Sequence, residues 1–130
     1  MCDTLLIGTG RDLQAYDVID NASLFCREIP DGVGSLMVGI LGGHSKPLVF
    51  VGGNLSITGL NASGKEQFWT VSNEFVSAMA FCDVDNDGQM ELLAGSHSND
   101  IHIFKDEVRL GPLILFQPIH CRFTLVFTSP

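Results

Sequence analysis

Apolar residues in this chain gather in short runs broken by glycine, asparagine and aspartate, without the three-to-four spacing of an amphipathic helix. Such runs predict β-strands joined by tight turns. Three of them end alike: Leu5-Leu6-Ile7-Gly8, Val49-Phe50-Val51-Gly52 and Leu92-Leu93-Ala94-Gly95. The closing glycines are 44 and 43 residues apart. Other landmarks keep the same step. Leu13 and Tyr16 recur 44 places on at Ile57 and Leu60, Phe25 recurs at Phe68, and Leu36 and Val38 recur at Met79 and Phe81.

A period of about 40–50 residues built from short strands is the mark of a β-propeller blade. The expected fold is all-β, an incomplete β-propeller of about three four-stranded antiparallel repeats. An inner strand at Ser35–Leu41 or Ser77–Cys82 leads to Leu48–Val51 or Leu92–Ala94. The third strand follows at Ser56–Leu60 or Asp100–Phe104, and an outer strand at Glu66–Val71. Asn61-Ala62-Ser63-Gly64 is expected to turn the last hairpin, with glycine in the left-handed position. Residues 1–112 then form a partial propeller, divided as 1–31, 32–73 and 74–112. Residues 113–130 are a divergent apolar tail, expected to be either a last strand or a splice or read-through product. Propellers close with about four to eight blades, so uncovered sheet faces and strand edges are expected here.

Composition narrows the function classes. The chain has 130 residues, is 45% hydrophobic and only 17% charged, which suits one domain with a real core. A net charge of −8 argues against nucleic acid and against an electrostatic hold on anionic lipid. Met1-Cys2-Asp3-Thr4 lacks the basic start of a secretory signal. The apolar run from Leu113 to Phe127 is broken by Pro118, His120 and Arg122, which argues against a membrane span. Cys2, Cys26, Cys82 and Cys121 show no metal spacing and are expected to stay reduced. Asn21, Asn54 and Asn61 each begin an N-x-S sequon and are read as turn asparagines.

The chemistry concentrates in Asp83-Val84-Asp85-Asn86-Asp87-Gly88-Gln89-Met90-Glu91. Acidic residues at alternate places can wrap a hard cation, and Ca²⁺ takes about six to eight oxygens. The opening fits the D-x-D-x-D-G start of an EF-hand loop, with Gly88 where a positive φ is needed. The fit ends at the twelfth place, where Ala94 stands instead of a bidentate glutamate, and the flanks are strand-like rather than helical. Glu91 then takes over as the late carboxylate, as in the acidic strand–loop–strand turns of integrin-type propellers. The expected ligand set is Asp83, Asp85, Asp87 and Glu91 with the backbone carbonyl of Gln89, holding one Ca²⁺. An acidic hairpin turn without metal explains the same residues, since Asp, Asn and Gly are turn formers.

Other motifs dissolve under the repeat. Leu6-Ile7-Gly8-Thr9-Gly10 opens like a dinucleotide-binding loop, but Leu13 replaces the third glycine and an alternating strand follows. His97, Asp100 and His102 are read as solvated or satisfied hairpin residues. Gly43-His44 with Trp69 lacks the aspartate of a tryptophan–aspartate repeat, because Thr70 stands there. No nucleophile–base pair or paired catalytic acids can be placed, so no enzyme is expected.

The residue runs themselves carry a closer likeness. Leu6-Ile7-Gly8-Thr9, Leu13-Gln14-Ala15-Tyr16-Asp17-Val18 and Asp20 through Glu28 resemble the amino-terminal propeller of the Bardet–Biedl syndrome 2 family. So do Val51-Gly52-Gly53-Asn54, Phe68-Trp69-Thr70-Val71, the acidic loop, Glu91 through Ser96 and Asp100 through Lys105. The resemblance spans roughly Asp3 to Val108; Leu113–Pro118 and Phe123–Phe127 depart from it. It implies a non-enzymatic subunit of the BBSome, the coat that carries ciliary membrane proteins. Implied partners are the other Bardet–Biedl subunits and, through the coat, a ciliary small GTPase, membrane and cargo receptors. Implied locations are cytoplasm, cilium and ciliary membrane, basal body and centriolar satellites. The contrasting reading is an extracellular calcium-binding adhesion propeller of integrin type.

Overall fold

The computed structural model describes residues 3–72, 74–97, 101–105, 108–112 and 120–122. All the regular structure there is β, and no helix is long and apolar enough to cross a membrane. The strands are β1 Thr4–Thr9, β2 Asp12–Asp17, β3 Ala22–Glu28, β4 Ser35–Gly39, β5 Leu48–Gly52, β6 Ser56–Leu60, β7 Glu66–Val71, β8 Val76–Asp83, β9 Glu91–Ser96, β10 Ile101–Lys105, β11 Val108–Pro112 and β12 His120–Arg122. They form three antiparallel sheets, ordered β1-β2-β3, β4-β5-β6-β7 and β11-β10-β9-β8-β12.

This is the expected all-β, propeller-like arrangement of repeated antiparallel sheets, with differences at the ends. The first sheet has three described strands and the last has five, because His120–Arg122 of the tail pairs with β8. The inner strand expected to reach Leu41 ends at Gly39; Leu41 instead drops into the core and accepts a turn hydrogen bond from His44 N. β8 and β9 run longer than expected, and β10 is shifted one place to Ile101–Lys105, with Asp100 outside the described residues.

The middle sheet explains the apolar run at its centre. Every residue of β5 is buried, because the sheet is covered on both faces and both side-chain parities must be apolar. Val49 and Val51 pack with Leu13, Ile29, Leu36 and Leu60 towards the first sheet. Leu48 and Phe50 pack with Met37, Phe68, Phe81, Leu92 and Phe104 towards the last. Phe50 sits at the junction. Its ring meets Phe68 edge-on at 5.4 Å and Phe81 of the neighbouring sheet at 5.5 Å.

Among the described residues, the first sheet is covered on one face only. β2 alternates, burying Leu13, Ala15 and Asp17, whereas Leu5, Ile7 and Leu24 stay exposed on its flanking strands.

Candidate functional site

The acidic residues lie between β8 and β9, whose register closes at Cys82 opposite Glu91. Asp83 ends one strand and Glu91 begins the other, so the hairpin itself brings their carboxylates together. Between them the chain curls through two left-handed residues, Asn86 (φ 60°) and Gly88 (φ 85°). Gly88 fulfils the expectation; Asn86 is one of the few non-glycine types that tolerates this region. Met90 anchors the curl, partly buried against the core and accepting a hydrogen bond from Gly42 N at 2.8 Å.

Aspartate side chains turn inward onto the loop backbone. Asp83 accepts from the amides of Asp87 (3.1 Å) and Gly88 (2.9 Å), and Asp87 accepts from Gln89 N at 2.8 Å. These bonds make the curl a satisfied Asx-type turn. One carboxylate oxygen from each of Asp83, Asp85, Asp87 and Glu91 lies within 4.8 Å of all the others. Four of the five expected ligand residues are therefore drawn together, while Gln89 contributes an amide to Asp87.

Glu91 differs from the three aspartates. It is fully buried, with Oε2 accepting from Val84 N at 2.8 Å and Oε1 left without a hydrogen-bond partner. A buried acceptor left unpaired costs about 1–3 kcal/mol. Burial pushes its carboxyl above the usual glutamate range, with the charges of Asp85 and Asp87 adding to the rise.

Lys105 is the residue that sequence reasoning missed. Register places Phe104 opposite Leu92, so the next step along β10 brings Lys105 beside Glu91. Its Nζ donates to Asp87 Oδ2 at 2.6 Å and to Asp85 Oδ2 at 3.0 Å, and stands 3.9 Å from Glu91 Oε1. The ammonium is held well above its ordinary range, chiefly by the bond to Asp87 and then by that to Asp85. Asp87 is correspondingly lowered, first by Lys105 and then by the Gln89 amide. The only available signal was the third-strand position of Lys105, readable once the repeat fixes which strands are neighbours.

The remaining candidates are structural. Gly8 lies in β1, and the chain turns at Gly10 (φ 55°) straight into β2, so no dinucleotide-binding helix follows. The His97 ring packs on Phe75 at 4.6 Å; the histidine–aspartate grouping also needs Asp100, outside the described residues. Asn61 Oδ1 accepts from Ser63 N, Ser63 Oγ and Lys65 N, and Gly64 has φ 82°, as a turn asparagine and a left-handed glycine should. A cleft lined by Pro30, Asp31, Leu55, Ser56, Trp69 and Val71 holds one carboxylate, but Asp31 Oδ2 is engaged by Leu55 N, Ser56 N and Ser56 Oγ. It works as a clamp between sheets.

Comparison with known proteins gives this architecture a lineage. Residues 1–39 match the family model described as ciliary BBSome complex subunit 2, N-terminal. BBSome complex member BBS2 of Homo sapiens is 47% identical over 105 residues, 81% of this chain and 15% of that protein. The Danio rerio relative is 42% identical over the same length, and BBSome complex member bbs-2 of Caenorhabditis elegans is 35% identical over 119 residues. The chain spans only about 15–16% of the length of these relatives. On these matches the chain belongs, as an amino-terminal segment, to the BBSome subunit 2 family.

Proposed function

We propose that this chain supplies part of the propeller of a non-enzymatic scaffold subunit of the BBSome, serving ciliary membrane-protein trafficking and cilium assembly. The supporting observation is the 47% identity over 105 residues to a protein named as a BBSome complex member. The physical role is to offer rigid sheets whose faces and edges dock sibling subunits. Through the assembled coat, the segment acts with a ciliary small GTPase, membrane and cargo receptors. Its working places are the cytoplasm, the cilium and its membrane, the basal body and centriolar satellites. In this reading residues 1–112 are the propeller portion, in units 1–31, 32–73 and 74–112, and His120–Arg122 of the divergent tail adds a strand beside β8.

The test is a chimera. The region of this chain matched to the Homo sapiens relative replaces its counterpart in the full-length relative, expressed in ciliated cells lacking the native subunit. Co-purification of the sibling subunits and recovery of ciliary membrane proteins is the expected outcome. A stable chimera that captures no sibling subunit overturns the proposal. For the chain itself, recovery only as secreted material glycosylated at Asn21, Asn54 or Asn61 would favour the adhesion alternative.

A further inference from the structure

We infer that Asp83, Asp85, Asp87 and Glu91 form a Ca²⁺ site whose stand-in cation, when no metal is bound, is the Lys105 ammonium, and that Ca²⁺ binds by displacing it. Two independent observations converge. Four carboxylate oxygens lie within 4.8 Å of one another at the hairpin mouth. Separately, Glu91 is fully buried, and its Oε1 accepts no hydrogen bond, with the cationic head of Lys105 held 3.9 Å away, beyond hydrogen-bond range.

Lysine answers only part of this oxygen set. An ammonium has three donors in tetrahedral directions, and here it reaches Asp87 Oδ2 at 2.6 Å and Asp85 Oδ2 at 3.0 Å. Glu91 Oε1 stays out of reach, and the oxygens of Asp83 turn to the amides of Asp87 and Gly88. Ca²⁺ gathers about six to eight oxygens at about 2.3–2.6 Å in flexible geometry. The four carboxylates, the Gln89 carbonyl and solvent can supply that number. Mg²⁺ fits less well, because it demands a tight octahedron and gives up water reluctantly.

The lysine also sets the affinity. Three carboxylates in an exposed turn beside one buried carboxylate repel one another unless a cation screens them. Lys105 supplies that screening within the chain, so the hairpin folds before any metal arrives. The same contacts must break before Ca²⁺ enters, which weakens binding relative to a site without the lysine. Lys105 lies on β10 and the carboxylates on the β8–β9 hairpin, so exchange loosens one tie between third and second strands of the sheet.

Calorimetric titration of the full chain with Ca²⁺ alone, and with Mg²⁺ alone, tests the site. The parent takes up one Ca²⁺, and Lys105→Met, which keeps the stem and removes the charge, binds it at least tenfold more tightly. Glu91→Gln loses at least tenfold in affinity in either background, while Glu66→Gln, on β7, leaves it unchanged. Equal Ca²⁺ affinity in parent and Lys105→Met overturns the exchange. Absence of binding in a Lys105→Met chain with intact β circular dichroism overturns the site itself. Should Lys105→Met fail to fold, NMR of the parent's lysine side chains reads the same event directly. The Lys105 Cε and Nζ resonances shift towards solvent-exposed lysine values on adding Ca²⁺; resonances that stay in place overturn the inference.

Discussion

Gly52 and Val76 meet where the middle sheet hands over to the last: a Cβ on Gly52 would stand 2.7 Å from Val76 Cγ1 and 2.4 Å from Ser35 Oγ. Ser35 in turn donates to the Val76 carbonyl at 3.1 Å. Gly8 repeats the relation one unit earlier, with a Cβ place 2.4 Å from Val33 Cγ1. The repeating glycine is thus required by the next unit's entering valine, which crosses over it. Gly95 has no such neighbour among the described residues, its nearest atom being Ala78 O at 3.8 Å. Gly52→Ala is expected to destabilise the chain by about 1–3 kcal/mol through overpacking. Gly95→Ala should be near neutral. Urea midpoints decide between them, and equal losses at both positions would sink the crossing argument.

Phe50 joins two sheets through its edge-on contact with Phe81, while it meets Phe68 of its own sheet in the same way. Phe50→Ala should cost about 3–5 kcal/mol, as large-to-small core changes do. A double-mutant cycle with Phe81→Ala should return a coupling of about 0.5–1.5 kcal/mol beyond burial. Zero coupling would mean that the rings merely fill space.

The period made most of the fold legible, because Gly8, Gly52 and Gly95 recur where each second strand ends. It could not say why Gly8 and Gly52 are glycines, since Val33 and Val76 reach them only from the next unit. The acidic loop was legible as a local pattern, whereas Lys105 joins it only through the β9–β10 register. For the tail, a last strand was one of two readings, but its place was not legible: His120–Arg122 has no counterpart in the repeat, so neither spacing nor alternation marks it.

Asp31 ties the first sheet's exit to the middle sheet's β5–β6 turn. Its Oδ2 accepts from Leu55 N, Ser56 N and Ser56 Oγ at 2.8–2.9 Å, and Gly53 leaves room for it. Asp31→Ala removes the acceptor from three donors at once and should cost about 1–3 kcal/mol. Amide exchange at Leu55 and Ser56 should speed up before exchange in β5. Uniform acceleration across all three sheets would instead mark a global effect.

The open face of the first sheet predicts how the chain behaves in solution. Leu5 and Ile7 are 49% and 41% exposed on β1, and Leu24 is 44% exposed on β3. The counterparts of Leu5 and Ile7, Val49 and Val51, are buried in the middle sheet, where neighbours cover both faces. Covering such side chains gives about 1.5–3 kcal/mol each when burial is complete, so a second copy has reason to dock there. The chain should self-associate at micromolar concentration, visible as a concentration-dependent sedimentation coefficient. Leu5→Glu combined with Ile7→Lys should shift that equilibrium towards monomer by at least about tenfold, equivalent to ~1.4 kcal/mol. The core should remain intact, because neither side chain belongs to the buried clusters. A parent chain that sediments as monomer throughout the micromolar range would show that the exposed face does not drive association.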